Sequence, residues 1–303
     1  MAVSDIPLIR ELLARCTFPE PDRSRPPPPV TCALSGGTDS SALVALAAAA
    51  GCAVTAVHVH HGLRPSADHD ATSAAAIAAR LDVTFRVEHA DLHDGPNLEA
   101  RAREVRHRIL GPGALFGHTA DDQAETTLLA MLRGSGSSGL SAIRPGPTHP
   151  ILALRRADTR RLCDALDLPT VTDPTNTDPR FRRNRVRHEV LPLLADVADR
   201  DPVPLLTRIA DLVRDDDDFL AHLSGTIDPT DAQALCAAPL PLARRAIRRW
   251  LTRDGYPPDS AAVTRVLAVA DGSAIGCEVA GIGRIRRTNQ RLRVEAPDGR
   301  TGA

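Results

Sequence analysis

The sequence predicts an α/β fold in which helices cover both faces of a parallel sheet, followed by a helical segment and a small C-terminal domain. Strand-like apolar runs alternate with helical patterns between residues 30 and 132, and helical patterns continue alone over 159–222. Residues 226–303 carry 12 arginines and 8 acidic residues, whereas the rest of the chain is acidic overall. A length of 303 residues suits one large domain and one small domain.

The elements follow in order. Residues 1–29 hold a short helix and a proline-rich linker, because four consecutive prolines at 26–29 form a semi-rigid spacer. Residues 30–195 form the main domain, 196–225 a helical connector, and 226–303 a small basic domain whose charge is compatible with a nucleic-acid partner. The main domain has predicted strands at 30–34, 53–59, 83–87 and 114–117, and predicted helices at 40–50, 66–81, 98–110 and 121–132. Further helices are expected near 159–166, 184–195 and 203–222.

Composition excludes several classes of protein. The six cysteines form no C-x-x-C pair, which argues against a disulfide framework, a zinc ribbon and an iron–sulfur cluster. The uncharged stretch at 40–57 is divided by Gly51 into an alanine-rich helix and a strand, so no membrane span is expected. With charged residues near its start, the chain has no predicted signal peptide, and we expect a cytoplasmic protein. All 37 basic residues are arginine, which a biased genome explains more simply than phosphate recognition does.

A strand, a glycine turn and a helix start meet at residues 35–40, which read Ser-Gly-Gly-Thr-Asp-Ser. Glycines let the backbone approach an anion, and the free N–H groups of a helix start favour phosphate. The predicted ATP-binding residues are Ser35, Gly36, Gly37, Thr38, Asp39 and Ser40. An acid beside phosphates is unfavourable unless a cation lies between them, so Asp39 is the candidate Mg²⁺ ligand and a catalytic candidate.

Further motifs accompany this loop in a fixed order. They are His-Val-His-His-Gly-Leu-Arg at 58–64, Asn-Leu-Glu-Ala-Arg-Ala-Arg-Glu-Val-Arg at 97–106, Gly-His-Thr-Ala-Asp-Asp-Gln-Ala-Glu-Thr at 117–126, Arg-Gly-Ser-Gly at 133–136, Gly-Leu-Ser at 139–141, Asp-Pro-Thr-Asn at 173–176 and Arg-Asn-Arg-Val-Arg-His at 183–188. The series resembles the tRNA(Ile)-lysidine synthetase family of the PP-loop ATP pyrophosphatases across about residues 30–195.

The resemblance implies a reaction. ATP adenylates the O2 atom of the wobble cytidine (position 34) of a tRNA(Ile) with a CAU anticodon, releasing pyrophosphate. Free L-lysine then attacks C2, AMP leaves, and lysidine is formed. Alternatives within the superfamily are tRNA base thiolation and another adenylating synthetase. ATP is a substrate, Mg²⁺ is expected, zinc and an iron–sulfur cluster are not, and a homodimer is an open alternative.

The resemblance also implies residue roles. Asp122 and Glu125 serve lysine and the activated intermediate. Asn176 is a further candidate for the lysine site, with helix capping as its alternative role. Arg106 is a catalytic candidate near the phosphates or the tRNA. Acids in the first turn of a helix are also favoured by its dipole alone, so a structural role stays open for the neighbouring Asp121, for Asp122 and for Glu125.

Two arginine groups are predicted to contact tRNA. Arg183 and Arg187 belong to five guanidiniums within residues 180–187, and such clustering creates a strong local positive field. Arg245 and Arg249 lie in a second stripe at helical spacing. A solvated helix start is the alternative for the first group.

Overall fold

The computed structural model describes residues 6–20, 26–60, 62, 67–90, 98–171, 177–253 and 256–295. The chain divides into two compact units, Met1–Leu212 and Val213–Ala303. The boundaries that the sequence predicts at 29, 195 and 225 stay predictions.

The first unit is an α/β structure, as predicted. Its elements are α1 (Pro7–Leu13), β1 (Pro29–Ala33), α2 (Thr38–Ala49), β2 (Ala53–His60), α3 (Ala67–Arg80), β3 (Thr84–His89), α4 (Leu98–Leu110), α5 (Ala120–Leu132), α6 (Ser137–Leu140), α7 (Arg156–Ala165), α8 (Arg182–Arg185), a π-helix (Val186–Val190), α9 (Leu191–Ala198) and the first part of α10 (Val203–Gly225). The three strands form a parallel sheet in the order β1-β2-β3.

Helix α2 follows β1 and is embedded in the core. Every residue from 41 to 47 is buried, and five of these seven are alanine or leucine. The largest core cluster joins α2 to the sheet and to α1 and α7. Most of the uncharged stretch at 40–57 is therefore in the interior of the first unit. Within the described residues, no helix combines the length and apolarity that a membrane crossing needs.

The predicted strand at 114–117 is wrong in extent. It is reduced to one parallel bridge between Cys32 and Leu115, and the next residue, Phe116, donates its N–H to the carbonyl of Thr148 instead. Gly117 explains the early departure, because a Cβ built on it would lie 2.7 Å from the carbonyl oxygen of Asp39. The chain must bend away at the start of α2 rather than continue along β1.

The helix predicted at 184–195 is confirmed in place, but it is longer, and a π-helical turn that the sequence does not predict interrupts it. The structure has α8, the π-helix and α9 in succession. Leu191 donates its N–H to the carbonyl of Val186, five residues back, and Pro192 follows. Proline has no N–H to continue an α-helical ladder, so the wider turn precedes it.

The second unit is helical with a small sheet. After the end of α10 come α11 (Ala232–Ala237), α12 (Leu240–Leu251), α13 (Ser260–Asp271), β4 (Gly276–Val279), β5 (Gly283–Thr288) and β6 (Arg291–Glu295). The strands are antiparallel in the order β4-β5-β6. Ile285 and Leu292 on the inner face pack against α12 and α13, which gives this unit a core of its own.

Candidate active site

The glycine turn predicted to bind ATP lies between β1 and α2. Gly36 has a φ of +90°, a conformation that glycine adopts at no steric cost, and Gly37 is the N-cap of α2. The Ser40 hydroxyl donates to the Gly37 carbonyl at 2.9 Å and accepts from the N–H of Ser35 at 3.1 Å. These bonds hold the turn open at the helix N-terminus, where backbone N–H groups favour an anion.

Helix α5 brings two acids to the same place. Ala120, Ala124 and Leu128 face a small core shared with the π-helix, α9 and α10. Asp122 and Glu125, three residues apart, therefore lie together on another face of α5.

Asp122 divides its two oxygens between different tasks. Its Oδ2 atom accepts the backbone N–H of Thr119 at 2.9 Å and the Thr119 hydroxyl at 3.1 Å, which closes the first turn of α5. Its Oδ1 atom accepts from Arg156 and from Arg183, both at 3.1 Å. Burial acts to raise the pKa of Asp122, but the charges of Arg156 and Arg183 outweigh it and the pKa is lowered. Asp122 therefore has a structural role, closing the first turn of α5, and also lies where it can take part in the site.

Glu125 is fully buried and surrounded by guanidiniums. Its Oε1 atom accepts from Arg156 at 3.1 Å and from Arg187 at 2.7 Å. Its Oε2 atom accepts from Arg183 at 2.7 Å and from Arg187 at 3.2 Å. The predicted arginine pair at 183 and 187 thus meets the predicted acid pair at 122 and 125.

Arg156, at the start of α7, connects this group to the phosphate loop. Its guanidinium contacts Asp122, Glu125 and, at 3.4 Å, the Oδ2 atom of Asp39. We call the resulting set the charge cluster; its members are Asp39, Asp122, Glu125, Arg156, Arg183 and Arg187. Three carboxylates and three guanidiniums balance when all are ionised.

Sequence reasoning missed Arg156 and Thr159, whose hydroxyl donates to Asp39. One signal was present in the chain. Arg155 and Arg156 stand at the N-terminus of a helix, where positive charge opposes the helix dipole. Such a placement requires acidic partners from elsewhere.

Asp39 is less stabilised as a carboxylate than Asp122. Burial raises its pKa from the usual 3.8, and the hydrogen bond from Thr159 and the charge of Arg156 do not compensate. This is the behaviour of a carboxylate that has no full positive counter-charge of its own, and it leaves Asp39 available to a cation.

Asp121 has a separate role in holding α7. It accepts the backbone N–H of Arg156 at 2.8 Å and two bonds from the Arg155 side chain. Arg155 also contacts Asp201. Burial acts to raise the pKa of Asp121, but these hydrogen bonds prevail and lower it. Asp121 therefore fixes the helix start from which Arg156 extends.

The remaining predicted site residues that the structure describes make their contacts outside the charge cluster. Arg106 on α4 stands over the ring of Phe116, with its Cζ atom 5.8 Å from the ring centre. Asn176 lies outside the described residues. Arg245 pairs with the buried Asp217 at 2.7 Å, and Arg249 donates to Ser224 and to the carbonyl of Ile227.

Two families of known proteins match the chain. The PP-loop domain family matches residues 14–194, and the family described as TilS substrate binding domain matches residues 231–293. The tRNA(Ile)-lysidine synthase of Nocardia farcinica is 43% identical over 244 residues, which cover 75% of this chain and 77% of the relative. That of Rhodococcus erythropolis is 40% identical over 242 residues, covering 75% of this chain and 74% of the relative.

A solved structure supports the fold. The U34-tRNA thiolase NcsA from Methanococcus maripaludis, with its [4Fe-4S] cluster, superposes with a TM-score of 0.51 and 16% identity, covering 68% of this chain and 76% of that chain. At this identity the likeness concerns the fold. Because relatives at about 40% identity match three quarters of its length, the chain belongs to the tRNA(Ile)-lysidine synthase family.

Proposed function

We propose that the chain attaches free lysine to C2 of the wobble cytidine of a CAU-anticodon tRNA(Ile), using ATP and forming lysidine. The observation that carries the proposal is the charge cluster, which joins a phosphate loop to a group of acids in a chain of this family. In the first step the cytidine O2 bonds to the α-phosphorus and pyrophosphate leaves. In the second, the lysine amine bonds to C2, AMP leaves with its electron pair, and the amine loses a proton.

Residues 35–40 would bind the phosphates of ATP. The free N–H groups at the start of α2 would favour an anion, and the Ser35 and Ser40 hydroxyls lie 3.0 Å apart in the same loop. Asp39 suits Mg²⁺, because Mg²⁺ is commonly held by one or two carboxylates together with substrate phosphates. Among the described residues no group of three or more candidate ligands could hold a metal ion without the nucleotide. When bound, Mg²⁺ would neutralise the charge of the departing pyrophosphate.

Asp122 and Glu125 would bind the ammonium of lysine, with Asn176 as the third predicted contact. Both acids are at the centre of the charge cluster, next to the acid that serves the phosphates. An amine becomes nucleophilic when its proton is lost, and a carboxylate that holds the ammonium can orient it before that step. Arg106 is proposed to act on the phosphates or the tRNA.

The tRNA is proposed to contact both units. Arg183 and Arg187, 29% and 22% exposed, are engaged with Glu125, so their proposed RNA contact would use the donors that remain. In the second unit, the outer face of the sheet is a stronger candidate for tRNA contact. Arg286 lies directly opposite Arg293, and such like-charged cross-strand pairs are unfavourable without an anion. Arg293 has no ion pair with a described acid, and Arg286 has a long one of 3.7 Å to Glu295.

One experiment tests the function. The protein is incubated with a CAU-anticodon tRNA(Ile), ATP, Mg²⁺ and labelled lysine, and the RNA is digested to nucleosides. We expect label in lysidine and one AMP per label, and none when cytidine 34 is replaced by uridine. Label absent from the nucleosides would overturn the proposal, and release of AMP with transfer of sulfur would favour the thiolase alternative. Sedimentation of the same protein tests the homodimer, and fractionation of the source cells tests the predicted cytoplasmic location.

A further inference from the structure

The acids proposed to receive lysine are already saturated by protein donors. A carboxylate has about four acceptor positions, and Glu125 fills its own with four N–H groups from Arg156, Arg183 and Arg187. Asp122 accepts from two guanidiniums on one oxygen and from Thr119 on the other. An incoming ammonium therefore has to displace a guanidinium from these acids.

Arg156 makes the longest carboxylate contact of the three guanidiniums and is the one that bridges the nucleotide acid and the lysine acids. Its contacts measure 3.1, 3.1 and 3.4 Å, whereas Arg183 and Arg187 each make a contact of 2.7 Å with Glu125. Loss of either Arg183 or Arg187 would take one of its two shortest contacts from the fully buried Glu125. Among the described residues, Arg156 is the one guanidinium bonded to Asp39 as well as to Asp122 and Glu125.

We propose that Arg156 is a positioning residue that couples nucleotide binding to lysine binding. The inference rests on the proposed function, in which Asp39 serves the nucleotide and Asp122 and Glu125 serve lysine. Without nucleotide, Arg156 occupies the place of the lysine ammonium. When the nucleotide is bound with its metal at Asp39, the phosphates offer Arg156 new acceptors, and its guanidinium moves from the lysine acids to them.

The coupling has a definite sign. In the nucleotide-free protein, lysine must compete with a built-in cation, so its affinity is low. Bound phosphates hold the guanidinium elsewhere, so the same acids become free and lysine affinity rises. Thermodynamic linkage requires that lysine raises the affinity of the nucleotide by the same factor. Lysine would thus be admitted after ATP, before any chemistry begins.

The test measures lysine binding without tRNA, so that no reaction occurs. Labelled lysine is equilibrated with the full chain, with and without Mg²⁺ and the α,β-methylene analogue of ATP. For the wild type we expect lysine affinity to rise roughly tenfold with the analogue, within the usual range of such couplings. We call the lysine affinity with the analogue divided by that without it the coupling ratio. For Arg156→Gln we expect a ratio near one, with nucleotide-free lysine affinity above that of the wild type. A residue with a merely structural role would lower that affinity instead.

Arg155→Gln is the matched control. Arg155 is the adjacent arginine, and its described contacts are with Asp121 and Asp201, outside the charge cluster. The Arg155→Gln variant should retain the ratio of the wild type. Arg156→Lys keeps the charge but cannot span three carboxylates, so its ratio should fall between the other two and decides the matter if Arg156→Gln does not fold.

Two results overturn the coupling while leaving the lysine site in place. One is a wild-type ratio of one, and the other is an equal ratio in the wild type and the Arg156 variants. Failure of the wild type to bind lysine under both conditions would overturn the proposed lysine site, and this inference with it.

Discussion

Glu125 shows how a single residue can be both a candidate substrate contact and a structural centre. The chain places it one turn after Asp122 on α5, but its partners come from α7, α8 and the π-helix. Three guanidiniums close together in a buried place would repel one another without it. Its charge is therefore required before any substrate is bound.

The first prediction concerns that charge. Glu125→Gln keeps the shape of the side chain but leaves Arg156, Arg183 and Arg187 around a neutral group. Removing one partner of a buried ion pair typically costs about 3–5 kcal/mol, so the free energy of unfolding should fall by about that amount. Denaturant unfolding of the ligand-free protein measures it.

The control for this prediction is Glu189→Gln. Glu189 pairs with Arg185 on the same stretch of chain, but both side chains are exposed, at 49% and 59%. Exposed ion pairs contribute little to stability, so the free energy of unfolding of the control should equal that of the wild type. A Glu125→Gln protein as stable as this control would show that the charge of Glu125 does not stabilise the three arginines around it.

At the scale of elements, the helical segment at 182–190 and the outer sheet face each bring arginines together. Arg183 of α8 and Arg187 of the π-helix are four residues apart, the spacing that places two side chains on one face of a helix, and both contact Glu125. The sheet places Arg286 against Arg293 on the face turned away from the core of the second unit. Inward-facing arginines complete a site, whereas outward-facing ones present charge to a partner.

The second prediction tests the outward-facing arginines. In a protein with Arg286→Gln and Arg293→Gln, the log–log slope of tRNA affinity against salt should become shallower, by about one unit for each RNA phosphate that is no longer neutralised. Titrations at several salt concentrations, with fluorescent tRNA and no ATP, give the slope.

A double variant of paired arginines provides the comparison. Arg80 is 49% exposed and pairs with Asp167, and Arg161 is 59% exposed and pairs with Glu11. Arg80→Gln with Arg161→Gln removes the same charge from surfaces with neighbouring acids, and the slope should stay close to that of the wild type. Equal slopes for both double variants would remove the sheet from the proposed tRNA surface.

At the scale of the whole molecule, each unit has its own core. Ile247 of α12 is fully buried in the second, and Leu43 of α2 is fully buried in the first. Because the proposed nucleotide site lies in the first unit, damage to one core should separate the two functions.

The third prediction follows from this division. Ile247→Ala should destabilise the second unit by about 2–5 kcal/mol and weaken tRNA binding, while affinity for the ATP analogue stays at the wild-type value. Leu43→Ala should instead destabilise the first unit and weaken affinity for the ATP analogue, because α2 carries the phosphate loop. Calorimetric unfolding and the two binding assays measure both variants. Loss of nucleotide binding in Ile247→Ala would mean that the units do not function separately.

Local patterns predicted much of this molecule. The β1 strand, the glycine turn and α2 can be predicted together, because apolar runs, glycines and an N-terminal acid act within a few residues. The motif order identified the family. The single bridge at Leu115 could not be predicted, since it depends on Gly117 meeting Asp39 from another element. Arg156 was missed for the same reason, because its partners are 31 to 117 residues away.

The balanced charge cluster has a consequence for how tRNA would arrive. Three negative and three positive groups within a few ångströms produce little net field beyond the screening length of about 8 Å in physiological salt. Such a site cannot draw a polyanion from a distance. Long-range attraction must come from arginines that have no acid partner among the described residues, such as Arg293, so encounter rate and chemistry can be altered independently. Salt should then slow capture of the tRNA while leaving the reaction of the bound complex almost untouched.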